Sequence, residues 1–260
     1  MGVIAPLVRL ARAVARRLGV DIVRYSPASG ASSPLPDMSE EQLRIFAQVQ
    51  PYTMSSPEGV VAMCDAVQYV VNNNIGGAIV ECGVWRDGSI MAAALTLLRL
   101  HVTDREPYLF DTFMGMPEPG PEDQSHTGNS ALEEWRKIEP EEPIGNWCRA
   151  DLEQVRANVL AIGYPMAKIR FVKGPVEETL AAAAPERIAL LRLDTDWYES
   201  TLHELELLYP RLPHGGILIV DDYGHWAGAR KAVDEYIARN GLALFLGRID
   251  YTGRIAVKQR

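Results

Sequence analysis

Two short acidic motifs contain residues that could do chemistry. Asp194-Thr195-Asp196 and Asp221-Asp222 each follow directly after an apolar run of the chain. Carboxylates packed this closely raise one another's pKa and repel each other, so a bound cation is the simplest way to keep them charged. Ligands that are all oxygen favour Mg²⁺, or alternatively Mn²⁺, over Zn²⁺. Any one of these acids could be a solvated loop residue, but the four together favour a metal site.

A glycine-containing turn is the second candidate site. It runs from Glu81-Cys82-Gly83 to Gly88-Ser89, between an apolar run and a helical stretch. A phosphate-binding loop needs lysine where this chain has Ser89, and a dinucleotide fingerprint needs a third glycine. Asp111, which follows the next apolar run, could accept hydrogen bonds from both hydroxyls of a ribose. The two segments together favour binding of a ligand that contains adenosine but no phosphates. Alternatively, Glu81 could be an acid that caps a helix or loop, and Asp111 could be an ordinary loop residue.

The elements that must position these residues are predicted from the alternation of short apolar runs with helical stretches. This alternation is typical of a mostly parallel α/β sheet with helices on both faces. The strong runs are residues 78–80, 108–110, 188–193 and 217–220, with a weaker run at 169–172. Each strong run ends directly in an acid: Glu81, Asp111, Asp194 or Asp221. Because ligands bind outside the carboxyl ends of such strands, the four acids predict one crevice.

Three further segments complete the predicted domain. Ser55-Ser56-Pro57-Glu58 is typical of a helix start, and Val60, Cys64, Val67 and Val71 mark the buried face of that helix. Residues 242–249 and 254–257 flank a turn and predict a C-terminal antiparallel hairpin. The segment 112–150 is too long to be a simple loop between two elements of the sheet, so we expect it to form a lid over the crevice.

Composition limits the classes of function. The net charge of −8 disfavours a nucleic-acid partner, which requires a cationic face, and favours a small-molecule substrate. The three cysteines lie far apart and lack metal-ligand spacing, so we expect neither disulfides nor zinc, and a reducing cytoplasm as the compartment. No apolar stretch approaches the roughly 20 residues of a membrane span, so no membrane partner is expected.

The N-terminal 37 residues are predicted to be separate from the main domain, residues 38–260. Leu7, Leu10, Val14 and Leu18 recur at helical spacing with arginines on another face, which indicates an amphipathic helix. A Ser/Pro-rich linker follows over residues 26–37. The helix is a candidate for subunit contacts in a homo-oligomer, either a dimer or a larger assembly.

Five ordered motifs resemble the macrocin O-methyltransferase (TylF-like) family, whose members methylate sugar hydroxyls of macrolide and aminocoumarin antibiotics. The resemblance extends from about residue 52 to residue 225. The motifs are Tyr52-Thr53-Met54, Glu81-Cys82-Gly83-Val84-Trp85-Arg86, Phe110-Asp111-Thr112-Phe113 through Gly115-Met116-Pro117, Leu193-Asp194-Thr195-Asp196, and Asp221-Asp222-Tyr223-Gly224.

The resemblance implies a class I, Rossmann-like methyltransferase fold and S-adenosylmethionine as the methyl donor. It implies that the cofactor is bound by Met54, Glu81, Gly83, Arg86, Ser89 and Asp111. Asp194, Asp221 and Asp222 would hold Mg²⁺, and Asp196 would be the general base for a sugar hydroxyl. The function implied is O-methylation of a sugar on a glycosylated natural product.

Other interpretations remain open from the residues alone. Asp194-Thr195-Asp196 also fits the D-x-D pattern of a metal-dependent glycosyltransferase, although a pyrophosphate would favour cationic residues at the site. A non-enzymatic ligand-binding protein would leave the clustered carboxylates without a purpose. His225 or His126 could contact the substrate, and His225 could replace Asp196 as the base. The aromatic side chains of Trp197, Tyr198 and Trp226 could stack on a sugar or fill the core.

Overall fold

Seven strands form one sheet in the order β3-β2-β1-β4-β5-β7-β6. The computed structural model describes residues 36–138 and 147–259, and the sheet lies within the compact unit 37–260. The strands are β1 Ala78–Cys82, β2 Pro107–Asp111, β3 Arg170–Lys173, β4 Ile188–Leu193, β5 Ile217–Val220, β6 Gly247–Arg248 and β7 Arg254–Val257. The first five pair in parallel, and β7 runs antiparallel to both β5 and β6. The predicted fold class is confirmed.

Helices cover both faces of the sheet. They are α1 Glu40–Val49, α2 Pro57–Asn72, α3 Gly88–Arg99, α4 Ala131–Ile138, α5 Leu152–Leu160, α6 Val176–Ala183, α7 Tyr198–Leu208 and α8 Ala227–Arg239. Successive strand residues point to opposite faces: Ile79 lies in the core with α1, α2, α3 and α5, whereas Val80 lies in the core with α6, α7 and α8. All five residues of β1 are buried, as its central place in the sheet requires.

Helix α2 begins where its sequence predicts. The side chain of Ser56 accepts a hydrogen bond from the backbone N–H of Gly59 at 3.0 Å, and Pro57 occupies the first turn, where its missing N–H costs nothing. Val60, Cys64 and Val67 are buried as predicted, and Val71 is partly buried against the same core. This start places Ser55 and Ser56 at the carboxyl edge of the sheet, beside the crevice.

The C-terminal hairpin is present, but its first strand is shorter than predicted. Strand β6 comprises two residues, and residues 242–246 form no ladder. Leu242 and Leu244 instead pack against the core that contains α8, while Phe245 is 86% exposed. The apolar run 242–249 therefore reflects packing against a helix as well as strand pairing.

The described parts of the segment 112–150 are attached to the α7 and α8 side of the crevice. Ala227 donates its backbone N–H to the carbonyl of Gln124 at 2.8 Å, and the indole N–H of Trp197 donates to the carbonyl of Pro117 at 3.0 Å. The predicted N-terminal helix and linker fall outside the described residues. Within the described residues, no helix is long and apolar enough to cross a membrane.

Candidate active site

Asp194, Asp221 and Asp222 come together at the carboxyl ends of β4 and β5. The two strands are neighbours, and Asp221 donates its backbone N–H to the carbonyl of Leu193 at 2.9 Å. One carboxylate oxygen from each of the three acids lies within 4.8 Å of the others. This spacing is suited to a single divalent cation with oxygen ligands.

A buried arginine, which the sequence analysis did not single out, lies among these acids. Arg192 is 4% exposed and forms ion pairs with Glu81, with Asp194 at 2.5 Å and with Asp221 at 2.8 Å. It also donates to the hydroxyl of Ser55 at 3.1 Å. The expectation that a bound cation is the simplest way to keep these acids charged was therefore incomplete, because Arg192 already supplies one positive charge. A charged residue inside an otherwise apolar strand was the signal that could have revealed it.

The chemistry of the acids in this cluster is suited to binding a metal ion. Asp222 has a buried Oδ2 atom without a hydrogen-bond partner, and a buried polar atom without a partner is costly. Burial raises the pKa of Asp222 well above its usual value, and the charges of Asp196 and Asp221 raise it further. Burial likewise raises the pKa of Asp194, with Arg192 opposing the shift. A divalent cation would satisfy the free oxygen and favour the charged carboxylates.

Asp196 lies three residues beyond the end of β4 in a left-handed backbone conformation, with φ of +64°. Its Oδ1 atom accepts a hydrogen bond of 2.6 Å from the indole N–H of Trp226. Burial, followed by the charge of Asp194, raises the pKa of Asp196 to about 8. Asp196 therefore lies beside the metal-type cluster, and one of its oxygens is bound by an aromatic residue.

The predicted glycine turn follows β1 and lies against β4. Gly83 has a φ of +81°, and a Cβ atom there would collide with the backbone carbonyl of Asp194, so only glycine fits. Asp111 organises this turn by accepting the backbone N–H groups of Val84 at 2.7 Å and Phe113 at 2.6 Å. Asp111 thus links two loops of the crevice, a role that the sequence did not indicate.

One cavity of about 640 Å³ contains both predicted half-sites. Its walls include Met54, Glu81, Gly83, Ser89, Asp111, Asp194, Asp196, Asp221 and Asp222. Arg86 is the exception among the predicted site residues. It does not line the cavity, because its guanidinium lies 5.6 Å from the ring centroid of Trp85 and its Nη1 atom donates to the carbonyl of Pro51.

Aromatic residues form part of the cavity wall, which we call the aromatic wall. Trp226 and Trp147 line the cavity with their ring centroids 6.2 Å apart, and the buried Trp197 packs behind them. Tyr198 does not reach the cavity; its hydroxyl donates to Glu235. Of the three aromatic residues considered from sequence, only Trp226 lines the cavity, whereas Trp147 was missed because nothing local marks it.

The two candidate histidines meet at the cavity mouth. The ring centroids of His126 and His225 are 5.1 Å apart, and Nδ1 of His225 lies 2.8 Å from the hydroxyl of Tyr251. Burial, followed by the charge of His126, lowers the pKa of His225. His225 is therefore held mainly neutral at pH 7 and lines the cavity, whereas His126 is exposed.

The order of the sheet, the glycine turn after β1 and the crevice at the carboxyl ends of the strands define a class I methyltransferase. The solved structure of the O-methyltransferase NovP agrees, with a TM-score of 0.71 and 31% identity over 80% of this chain and 83% of that one.

The chain belongs to the macrocin O-methyltransferase (TylF) family, whose sequence profile matches residues 16–258. It is 37% identical to 8-demethyl-8-(2,3-dimethoxy-alpha-L-rhamnosyl)-tetracenomycin-C 4'-O-methyltransferase of Streptomyces olivaceus, over 72% of this chain and 68% of the relative. It is 34% identical to demethyldecarbamoylnovobiocin O-methyltransferase of Streptomyces niveus, over 78% of this chain and 74% of the relative. The chain is thus an enzyme of the O-methyltransferase class, and the glycosyltransferase alternative is wrong.

Proposed function

We propose that this enzyme uses S-adenosylmethionine and Mg²⁺ to methylate a hydroxyl group on a sugar of a glycosylated natural product. The observation that carries the proposal is the placement of a metal-type carboxylate cluster and a glycine turn in one cavity. The Streptomyces olivaceus relative is named for methylation of a compound that carries a rhamnosyl group, which supports a glycoside as the acceptor.

The methyl-donating substrate would occupy the half of the cavity near β1 and β2. Gly83 allows a close turn of the backbone there, and Asp111, which lines the cavity, would be the residue that accepts hydrogen bonds from the ribose. Glu81, Ser89 and Met54 line the same half. We exclude Arg86 from this set because its guanidinium is directed to Trp85 and Pro51.

The metal would be held by Asp194, Asp221 and Asp222. When bound, Mg²⁺ would supply Lewis-acid stabilisation of negative charge on the acceptor oxygen and would fix its position. Arg192 engages one oxygen of Asp194 and one of Asp221, so each keeps a second oxygen for the cation. Asp222, whose buried Oδ2 atom has no hydrogen-bond partner, would supply the third ligand.

The proposed reaction is a direct displacement. The acceptor oxygen forms a bond to the methyl carbon as the bond from that carbon to sulfur breaks. Sulfur keeps the electron pair, which gives S-adenosylhomocysteine, and the hydroxyl proton passes to the carboxylate of Asp196. Asp196 is suited to this step because it lies beside the ligand set without belonging to it.

The aromatic wall and the segment 112–150 would bind the acceptor and exclude water. Met116 and Trp147 of this segment line the cavity, and the backbone N–H of Met116 donates to the carbonyl of Trp147 at 3.1 Å. The apolar faces of sugars stack on aromatic rings, and removal of water strengthens the electrostatic interactions of the site. We retain the lid at 112–150 and a homo-oligomeric assembly as predictions.

The experiment is a transfer assay with methyl-labelled S-adenosylmethionine and a panel of antibiotic glycosides, with Mg²⁺ or with excess chelator. We expect label in a glycoside only when Mg²⁺ is present. Transfer that persists after full chelation and metal analysis would refute the metal role, whereas labelling of the aglycones but not of their glycosides would refute the sugar acceptor.

A further inference from the structure

The side chain of Trp226 is attached to the proposed general base by a short hydrogen bond. Its indole Nε1 atom lies 2.6 Å from Oδ1 of Asp196, although the two residues are 30 positions apart. An indole N–H can only donate, so the bond holds Asp196 as an acceptor at that oxygen. Hydrogen bonds to a charged carboxylate are among the stronger ones in proteins.

Trp226 is itself fixed from several sides. It is 5% exposed, and its ring centroid lies 5.1 Å from that of Trp197 and 4.7 Å from that of His225, in edge-on arrangements. Its backbone N–H donates to the carbonyl of Asp222 at 3.0 Å, and its backbone forms a β-bridge with Ser125. The indole N–H is therefore a rigid donor.

The carboxylate of Asp196 is held from outside its own segment of the chain, by the indole of Trp226. Asp196 occupies a tight turn in which Trp197 donates its N–H to the carbonyl of Thr195 at 2.7 Å. The Asp196 carboxyl contacts Asp222 as well as Trp226, so it lies between the indole and the proposed metal cluster. In the proposed reaction, the acceptor hydroxyl loses its proton at this position, beside the metal cluster.

We propose that Trp226 is a positioning residue, which holds the carboxylate of Asp196 so that its second oxygen can take the acceptor proton. This inference rests on the proposed role of Asp196 as the general base. A base that is misplaced by about 1 Å can cost about 100-fold in rate. The indole N–H therefore acts on turnover rather than on binding.

The test compares two tryptophan-to-phenylalanine variants from one aromatic cluster. Trp226→Phe keeps a ring and removes the N–H that reaches Asp196. Trp197→Phe removes an N–H that donates to the carbonyl of Pro117. We expect Trp226→Phe to lower kcat by about 10- to 100-fold, with the acceptor KM and the Kd for S-adenosylmethionine within about twofold of wild type. Trp197→Phe should lose clearly less kcat than Trp226→Phe, because its N–H does not reach the proposed general base. Equal losses in the two variants, or a normal kcat in Trp226→Phe, would overturn the inference.

Two further variants separate positioning from packing. Trp226→His keeps an N–H at the equivalent ring position and should recover part of the lost rate; it is also the variant to assay if the phenylalanine variant does not fold. In a double-mutant cycle, Trp226→Phe should have little further effect on the residual rate of Asp196→Asn, because its effect passes through that carboxylate. Full additivity would show that Trp226 acts elsewhere.

The same cycle distinguishes this inference from the proposed function. Near-normal turnover of Asp196→Asn would refute Asp196 as the base and this inference with it. A strongly impaired Asp196→Asn together with a normal Trp226→Phe would leave the proposed function intact and overturn only the role of Trp226.

Discussion

The Nη1 atom of Arg192 lies 2.5 Å from Oδ2 of Asp194, which follows two residues later, directly after the end of β4. Residues two apart on a strand point to the same face, so the order Arg-Leu-Asp already sets the guanidinium beside the carboxylate. Glu81 is the direct partner of Arg192 in the parallel pairing of β1 with β4. One buried guanidinium therefore connects the proposed cofactor half of the cavity to the proposed metal half.

Removal of this cation should destabilise the protein. Arg192→Met leaves Glu81, Asp194 and Asp221 without their partner, and breaking a buried ion pair typically costs about 3–5 kcal/mol. We expect a decrease of that size in the free energy of unfolding, measured by urea denaturation with chelator present. As a control, Arg170→Met removes a partly exposed pair with Glu106 and should cost less than about 1 kcal/mol. Similar values for the two variants would contradict the structural importance of Arg192.

Divalent cations should stabilise the wild-type protein through the carboxylate cluster. Asp222→Asn removes a ligand charge, so most of the increase in Tm caused by millimolar Mg²⁺ or Mn²⁺ should be lost. Asp234→Asn changes an exposed acid on α8 outside the cluster and should keep the full increase. Differential scanning fluorimetry without substrate measures the increase in Tm of both variants. A full increase in Asp222→Asn would argue against Asp222 as a metal ligand.

Binding of S-adenosylmethionine should depend on Asp111. An amide at this position places an N–H₂ group against backbone donors of Val84 or Phe113, which displaces the two loops that they belong to. We expect Asp111→Asn to raise the Kd by about 10-fold or more, equivalent to about 1.4 kcal/mol, in calorimetric titrations. Asp104→Asn, which changes an exposed acid, is the matched control. An unchanged Kd in Asp111→Asn would show that Asp111 is not part of the cofactor site.

Asp250 should make stability depend on acid pH. Burial alone would raise its pKa, but hydrogen bonds from Ser56 at 2.5 Å and from the N–H groups of Thr252 and Gly253 outweigh burial and lower it. A carboxylate whose pKa is lower in the folded state stabilises the fold above its unfolded pKa, and this stabilisation is lost as the pH falls through the folded pKa.

The wild-type free energy of unfolding should therefore exceed that of Asp250→Asn by about 1 kcal/mol at pH 7. The difference should shrink as the pH falls from about 5 to about 2. Urea denaturation of both proteins at several pH values measures this difference in unfolding free energy. A difference that stays constant between about pH 5 and about pH 2 would contradict the lowered pKa of Asp250.

Much of this protein follows from local sequence. The apolar runs predicted the five parallel strands, because buried strands need continuous apolar residues. Ser56-Pro57 predicted the start of α2, because capping is a matter of neighbouring residues. The carboxylates at strand ends predicted one crevice, because parallel strands end at the same edge of a sheet.

Tertiary structure alone decided the partners of those residues. The meeting of Trp226 with Asp196, the ion pairs of Arg192 with Glu81 and Asp221, and the bond from Ser56 to Asp250 each join segments that lie far apart in the chain or on neighbouring strands. Side-chain direction also placed Arg86 outside the cavity and Trp147 inside it. Residue type and spacing specify which groups can bind a cation or accept a proton, whereas the register and packing of the sheet determine which of them meet.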